Sequence, residues 1–268
     1  MPRRPASADL SSPPFAVAAP SQARARRISA EQSAAWLARG WADLMAHPGI
    51  GLSYGAVFAV VGWLLTFGLV QLGMGSVILP LAAGFMLVAP LAAVGLYEVS
   101  RRRERGEPVT LAAALAAVRR NGEQIADFGL VLMLFFCAWF ELAMLLFAAF
   151  WGGKPPELGH FLGSVVLSGQ GVPFIAIGTL VGGVLAALAF ALSVATMPML
   201  LDRDVTVLDA MRTSLQAVWL NRLNMIGWAA TLAALGFLGM AALFIGLAVT
   251  LPVAAHASWH AYRDLVGE

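Results

Sequence analysis

Met225-Ile-Gly-Trp-Ala-Ala-Thr-Leu-Ala-Ala-Leu-Gly-Phe-Leu-Gly-Met-Ala-Ala-Leu-Phe-Ile-Gly-Leu-Ala-Val-Thr-Leu-Pro-Val-Ala-Ala255 is the apolar stretch on which the architecture turns. Crossing the hydrocarbon core of a bilayer takes about 20 apolar residues. The stretch is therefore long for one helix and tight for two. Gly236 and Gly239 can mark a compact turn between two spans, about 225–238 and 241–260. In the alternative, one helix runs to Thr250 and Pro252 begins an interfacial segment. The choice decides on which side of the bilayer Arg263 ends.

Four further runs meet the length requirement: about 52–72, 77–99, 128–151 and 172–197. The first two are joined by Gly73-Met-Gly-Ser76, which is too short to hold a domain. Composition agrees. The 268 residues are 60% apolar and 12% charged, with a mean hydropathy of +0.79. Soluble chains are about 45–50% apolar and about 25% charged.

The net charge of +2 is small, but its distribution is not. The 17 basic residues are sixteen arginines and Lys154. Every arginine lies before the first span, within 101–120, within 203–222 or at the C-terminus, and Lys154 sits alone in another connection. Cytoplasmic loops carry the excess of basic residues, so the four arginine-bearing segments are assigned to the cytoplasm. An even number of spans keeps Arg263 with the others. The expectation is an all-α polytopic membrane bundle of about six transmembrane helices arranged as three hairpins, with both termini cytoplasmic. A nucleic-acid binder would concentrate basic residues on a soluble surface, and no such domain remains. The lone Cys137 lies inside a span, which excludes a disulfide framework.

The N-terminus has no secretory signal, because its apolar run, Phe15 to Ala19, is too short for one. Residues 1–28 read as a disordered cytoplasmic tail, and residues 29–266 as the membrane domain.

Three units recur: an amphipathic segment, an outgoing span, and a returning span that ends in proline and then arginine. The returning ends are Pro90 to Arg101, Pro198 to Arg203 and Pro252 to Arg263. Chance recurrence of boundary residues is the alternative. The first amphipathic segment, about 30–46, places Trp36, Leu37, Trp41, Leu44 and Met45 opposite Gln32, Arg39 and Asp43. Ser29 and Gln32 have capping-box spacing at its start. Thr206 and Asp209 repeat that spacing ahead of Leu208, Met211, Leu215 and Val218. Leu111, Leu115 and Val118 form a weaker stripe between the second and third spans. Each segment either lies in the headgroup plane or packs on the bundle as a short helix.

Gly84-Phe-Met-Leu-Val-Ala-Pro-Leu-Ala-Ala-Val-Gly-Leu-Tyr-Glu-Val-Ser-Arg101 with the following Arg-Gly-Glu107, Met197-Pro-Met-Leu-Leu-Asp-Arg-Asp204, and His256-Ala-Ser-Trp-His-Ala-Tyr-Arg-Asp264 carry a resemblance. Together they resemble the bacterial integral membrane proteins grouped as domain-of-unknown-function family 2189, over about residues 28–266. The resemblance implies a multi-pass protein of a bacterial inner (cytoplasmic) membrane. It brings no substrate and no catalytic residue. Some relatives carry a cytochrome c oxidase subunit label. Oxidase catalysis needs many intramembrane histidines for haem and copper, and this chain has four, His47, His160, His256 and His260.

Of these, His256 and His260 share a helix face and are the candidate metal or haem ligands. Their aromatic and basic neighbours, Trp259, Tyr262 and Arg263, fit an interfacial role equally. Glu141 lies near the middle of the third span, where a carboxylate costs about 2.5–3.5 kcal/mol. With Gln71, Thr66, Ser193 and Thr196 it sketches a transport path; the alternative is a protonated, hydrogen-bonded acid. Arg101, Arg102, Arg103, Asp202, Arg203, Asp204 and Arg263 read as solvated boundary charges that set topology, with salt bridges between repeats as the alternative. Gly51 and Gly55, and Gly178 and Gly182, fit the spacing for close helix approach within or between chains. No P-loop, dinucleotide fingerprint, zinc-protease motif or nucleophile elbow occurs.

The expected function is a non-enzymatic accessory or envelope-associated component without cofactors. A small permease or channel using Glu141 is the alternative. The expected partners are the lipid bilayer, anionic lipids, and a membrane-protein partner or a second copy of the chain.

Overall fold

A computed structural model of the chain describes residues 24–29, 31–152, 163, 165 and 168–267. The expectations for Lys154, His160 and residues 1–23 lie outside them. The order is β1 (Arg24–Ala25), α1 (Gln32–Ala46), α2 (Pro48–Gln71), a single 3-10 turn, α3 (Ile78–Ala92), α4 (Val94–Glu104), α5 (Leu111–Ala116), a second 3-10 turn, α6 (Gly122–Trp151), α7 (Gly171–Ser193), α8 (Thr196–Asp202), α9 (Val207–Leu220), α10 (Arg222–Ala241), α11 (Leu247–Leu265) and β2 (Val266–Gly267).

Among the described residues, five helical stretches are long and apolar enough to cross a membrane: 48–71, 75–104, 122–151, 171–202 and 222–241. The protein is a polytopic helical membrane bundle. The ambiguous stretch forms two helices, α10 and α11, so three hairpins result. The sixth helix, α11, does not meet the apolarity requirement because its C-terminal half carries His256, His260, Arg263 and Asp264. That half is tolerated because it is buried against α1, α2, α4 and α10.

The turn between α10 and α11 is not at Gly236 and Gly239. It lies at 242–246 and uses left-handed backbone at Leu243 (φ 51°) and Phe244 (φ 63°). Such non-glycine residues cost of order 1–3 kcal/mol each, and the Phe244 ring packs against Gly62 of α2 in return. Gly236 and Gly239 are instead buried within α10, where Met86 and Leu247 pass close by.

Two returning spans are broken. α3 gives way to α4 at Ala93, three residues after Pro90, as expected where a proline removes a helix donor and crowds the preceding turn. α7 gives way to α8 at Val194 and Ala195. There the Ser214 hydroxyl donates to Ala191 O (2.8 Å) and accepts from Ala195 N–H (3.2 Å). Backbone groups near the break are thereby satisfied inside an apolar environment.

The amphipathic segments pack inward through small residues and leave large apolar ones outside. α1 buries Trp36, Gly40, Asp43 and Leu44, while Trp41 and Met45 are exposed. The expected separation of an apolar face from an Asp43 face is therefore corrected. Positions 36, 40 and 43–44 share one helical stripe, and that stripe faces α11. α9 buries Ala210, Thr213, Ser214 and Ala217 and exposes Leu208 and Leu215, so its inner face is also not the expected apolar one. Ala114 and Ala117 are buried beside exposed Leu111, Leu115 and Val118. The segments thus pack on the bundle as short helices. Of the two expected caps, Thr206 forms one fully, accepting from Asp209 N–H (3.2 Å). At Ser29 the Gln32 side chain accepts from the backbone N–H (3.2 Å).

The core lies at the arginine-bearing end. It gathers Trp36, Phe128, the 194–201 break, Trp228 and the C-terminal half of α11. Away from that end less is buried, and only 6% of the most apolar window of 171–202 is buried. The tail expectation is corrected in part. Residues 24–25 pair antiparallel with 266–267, and the Asn221 side chain grips Ile28 N–H (2.9 Å) and Arg26 O (2.7 Å). Both described ends of the chain therefore lie together.

Gly51 and Gly55 pack within the chain. An added Cβ at Gly55 would lie 2.6 Å from Ala248 O and 2.8 Å from Leu247 O, both immobile backbone of α11. At Gly51 the first obstacle is the flexible end of Leu44. Gly55→Ala should therefore cost about 1–3 kcal/mol by overpacking, and Gly51→Ala clearly less, measured by denaturation in micelles. Equal costs would contradict the α2–α11 contact. An added Cβ at Gly182 would likewise lie 2.6 Å from the Trp139 ring, whereas one at Gly178 would meet only Leu146 at an ordinary 3.9 Å.

Candidate functional site

At the arginine-bearing end, side chains from α1, α4, α8 and α11 form a connected polar network. Gly40 makes it possible. An added Cβ there would lie 2.6 Å from Ala257 N, so α1 sits directly on α11. One turn further along each helix, Asp43 and His260 then face one another.

Asp43 accepts three hydrogen bonds, from Ser100 Oγ (2.5 Å), His260 Nε2 (2.9 Å) and Arg103 Nη1. Burial works against its charge. The hydrogen bonds from His260 and Ser100, the proximity of His260 and the Arg103 contact outweigh burial and hold the carboxyl at about 2. An ionised carboxylate only accepts. Ser100 has one proton, which goes to Asp43. Its 2.8 Å contact with His256 Nδ1 must then be donated by the ring, which assigns the Nδ1–H tautomer to His256.

A second knot sits one turn away. Glu98 and Arg101 are almost fully buried, at 1% and 2% exposure. Arg101 donates to both Glu98 oxygens (2.7 and 2.9 Å), and Arg102 adds a third bond (2.7 Å). A third knot joins α4, α8 and α11. Asp202 accepts from Arg105 (2.7 Å), Tyr262 (3.0 Å) and Arg263 (3.4 Å). Arg203 Nε donates to the Tyr262 hydroxyl (3.0 Å). Burial, with Asp202 beside it, pushes the Tyr262 hydroxyl above the usual phenol range and keeps it protonated. Glu104 accepts from Trp259 and Arg263 (3.0 Å each), and Asp264 accepts from Trp36 (2.7 Å) and Arg39 (2.5 Å).

The reading of these charges as solvated boundary residues is corrected for Arg101 and Asp202, whose side chains are 2% and 4% exposed. Asp202 bridges repeats through Arg105 and Arg263, whereas Arg101 pairs with Glu98 and Glu107 of its own segment. Asp204 remains exposed. The physical reason is convergence: three returning helices meet here, and each brings its charges against the others.

Asp43, Ser100 and His256 have the residue types of a nucleophilic triad, but the Ser100 hydroxyl is buried and directed at the carboxylate. None of the three lines the cavities of about 420, 460 and 490 Å³ found on the molecule. His256 and His260 are on one helix face as expected, yet their near nitrogens engage Ser100 and Asp43. Among the described residues no group of three His, Cys, Asp or Glu side chains is placed to hold a metal.

The transport candidates are not brought together. Glu141 is on the exposed face of α6. Thr66 and Gln71 are on the far half of α2, which packs on α11 and α1. Ser193 and Thr196 are buried beside the α7–α8 break and return their hydroxyls to Phe190 O and Leu192 O. Of the five, only Ser193 lines one of the three cavities.

The residues that sequence reasoning missed are Asp43 as a buried hub, Ser100 beneath it and the Trp36–Asp264 pair. A buried hub has no local signature, and Gly40 three residues before Asp43 was the one available hint.

Comparison with curated proteins and with solved structures returns no match. One family model does match, over residues 78–202, which run from the start of α3 to the end of α8. This is narrower than the resemblance over about 28–266, and it contains Glu98, Ser100, Arg101 and Asp202 but neither α1 nor α11. Over those residues the chain is similar to the DUF2189 family, described as predicted integral membrane protein.

Proposed function

We propose that this protein is a non-enzymatic accessory component of a bacterial inner membrane, with its arginine-bearing end and both termini in the cytoplasm. The observation that carries this reading is the fate of its polar groups. The buried charges of the arginine-bearing end are partnered within the chain, and the two spans' grooves are lined almost wholly by apolar residues. Such an end is suited to holding three hairpins in a fixed arrangement. The orientation is supported by the positive-inside rule. Cysteines placed at Ser76 and Gly106, in a Cys137→Ala background, should be labelled from the outside and inside respectively; the reverse would refute the topology.

The permease alternative depends on Glu141. Purified protein in proteoliposomes should conduct protons, sodium and potassium no faster than empty liposomes, and Glu141→Gln should change nothing. Cation flux abolished by Glu141→Gln would overturn the accessory reading and establish the permease.

A further inference from the structure

We propose that the arginine-lined pocket at the start of α10, with the groove continuing from it down the same face of that helix, holds one anionic phospholipid of the arginine-side leaflet. The pocket has a volume of about 420 Å³, and Arg27, Trp219, Arg222, Leu223 and Asn224 line it. Half of the fourteen arginines among the described residues are spent on carboxylates. Arg27 and Arg222 are not: among the described residues neither has an ion-pair partner.

The first turn of α10 is also uncapped. Its N-cap residue, Asn221, makes no side-chain cap bond. It spends its amide on Ile28 N–H, Arg26 O and Ala217 O. The N–H groups that begin a helix lack intrahelical partners and carry its positive end. Two free guanidiniums beside such a terminus match a phosphate oxygen set.

What distinguishes a lipid from a soluble phosphate is the continuation. Trp219 and Leu223 are 77% and 78% exposed, and Ile226 follows at 67%. Arg222, Ile226, Ala229, Ala233 and Gly236 fall at intervals of three and four and so share a face. The last four of these line the 460 Å³ groove, whose opposite wall is Gly183, Ala186 and Ala187 of α7. From Arg222 to Gly236 is about 21 Å at about 1.5 Å per residue. One leaflet's hydrocarbon is about 15 Å, half the core. An acyl chain starting at the headgroup pocket therefore finds a groove long enough to receive it.

The test uses the full chain, delipidated in detergent and titrated with phosphatidylglycerol, phosphatidylcholine or inorganic phosphate, read by thermal stability and tryptophan fluorescence. Phosphatidylglycerol should bind about 10-fold more tightly than phosphatidylcholine, and inorganic phosphate should not compete. The Arg27→Gln, Arg222→Gln double variant should lose that preference. Both side chains are exposed, so its unliganded melting temperature should match wild type. Ala233→Trp should weaken phosphatidylglycerol binding by filling the groove, separately from the charges. Equal binding of the two lipids, competition by inorganic phosphate, or an unchanged preference in the double variant would each overturn the proposal.

Discussion

Asp43→Ala should destabilise the folded protein by about 3–5 kcal/mol, the range for removing one partner of a buried charge cluster. The substitution leaves Ser100, His260 and Arg103 without their common acceptor in a site where Asp43 is 2% exposed. Asp43→Asn, which keeps the volume, should lose most of the same amount, because its amide N–H₂ confronts donors. Reversible denaturation in mixed micelles, followed by helicity, measures both. The pH dependence carries the sign. The carboxyl stands at about 2 in the fold against 3.8 when free, so its contribution is complete above about pH 4 and is lost as pH falls toward 2. The gap between wild type and Asp43→Ala should therefore be constant near neutrality and narrow between pH 4 and pH 2. A gap under about 1 kcal/mol, or one indifferent to acid, would sink the hub role of Asp43.

How far the sequence discloses this arrangement depends on whether the signal is local. The spans are local, since apolar length alone places α2, α6 and α7 within a few residues of where they lie. The three-unit repeat is local too, and it correctly favours two helices over 225–260. Burial at the arginine-bearing end is not. Charges at a span end read as solvated whenever the partner comes from another hairpin. Arg101 and Asp202 lose water only because α4, α8 and α11 converge on one another. Asp43 is misread for the same reason: on α1 alone it belongs to a polar face, and only contact through Gly40 turns that face inward. Glu141 shows the opposite error. A carboxylate in mid-span invites a functional reading, yet it sits on the outer surface of α6 and lines none of the three cavities.

Trp36→Ala should cost a further 3–5 kcal/mol, about the range for truncating a fully buried tryptophan, and two related variants separate its causes. Trp36 is 0% exposed. It meets the Trp228 ring edge-on at 5.2 Å and donates its indole N–H to Asp264. Trp36→Phe keeps an aromatic edge for Trp228 but removes the donor. Asp264 retains Arg39 and is partly exposed, so that loss should be limited to about 1 kcal/mol. The indole N–H of Trp228, by contrast, is buried without a partner among the described residues. Trp228→Phe thus removes an unsatisfied donor along with some volume and should fall within about 1 kcal/mol of wild type. The expected order is therefore Trp36→Ala far below Trp36→Phe, with Trp228→Phe nearest wild type. Because α1 is held against the bundle mainly by Trp36, Gly40 and Leu44, Trp36→Ala should also free α1 to protease while the hairpins stay helical. A protected α1 in that variant would mean that the Asp43 network alone holds the segment down.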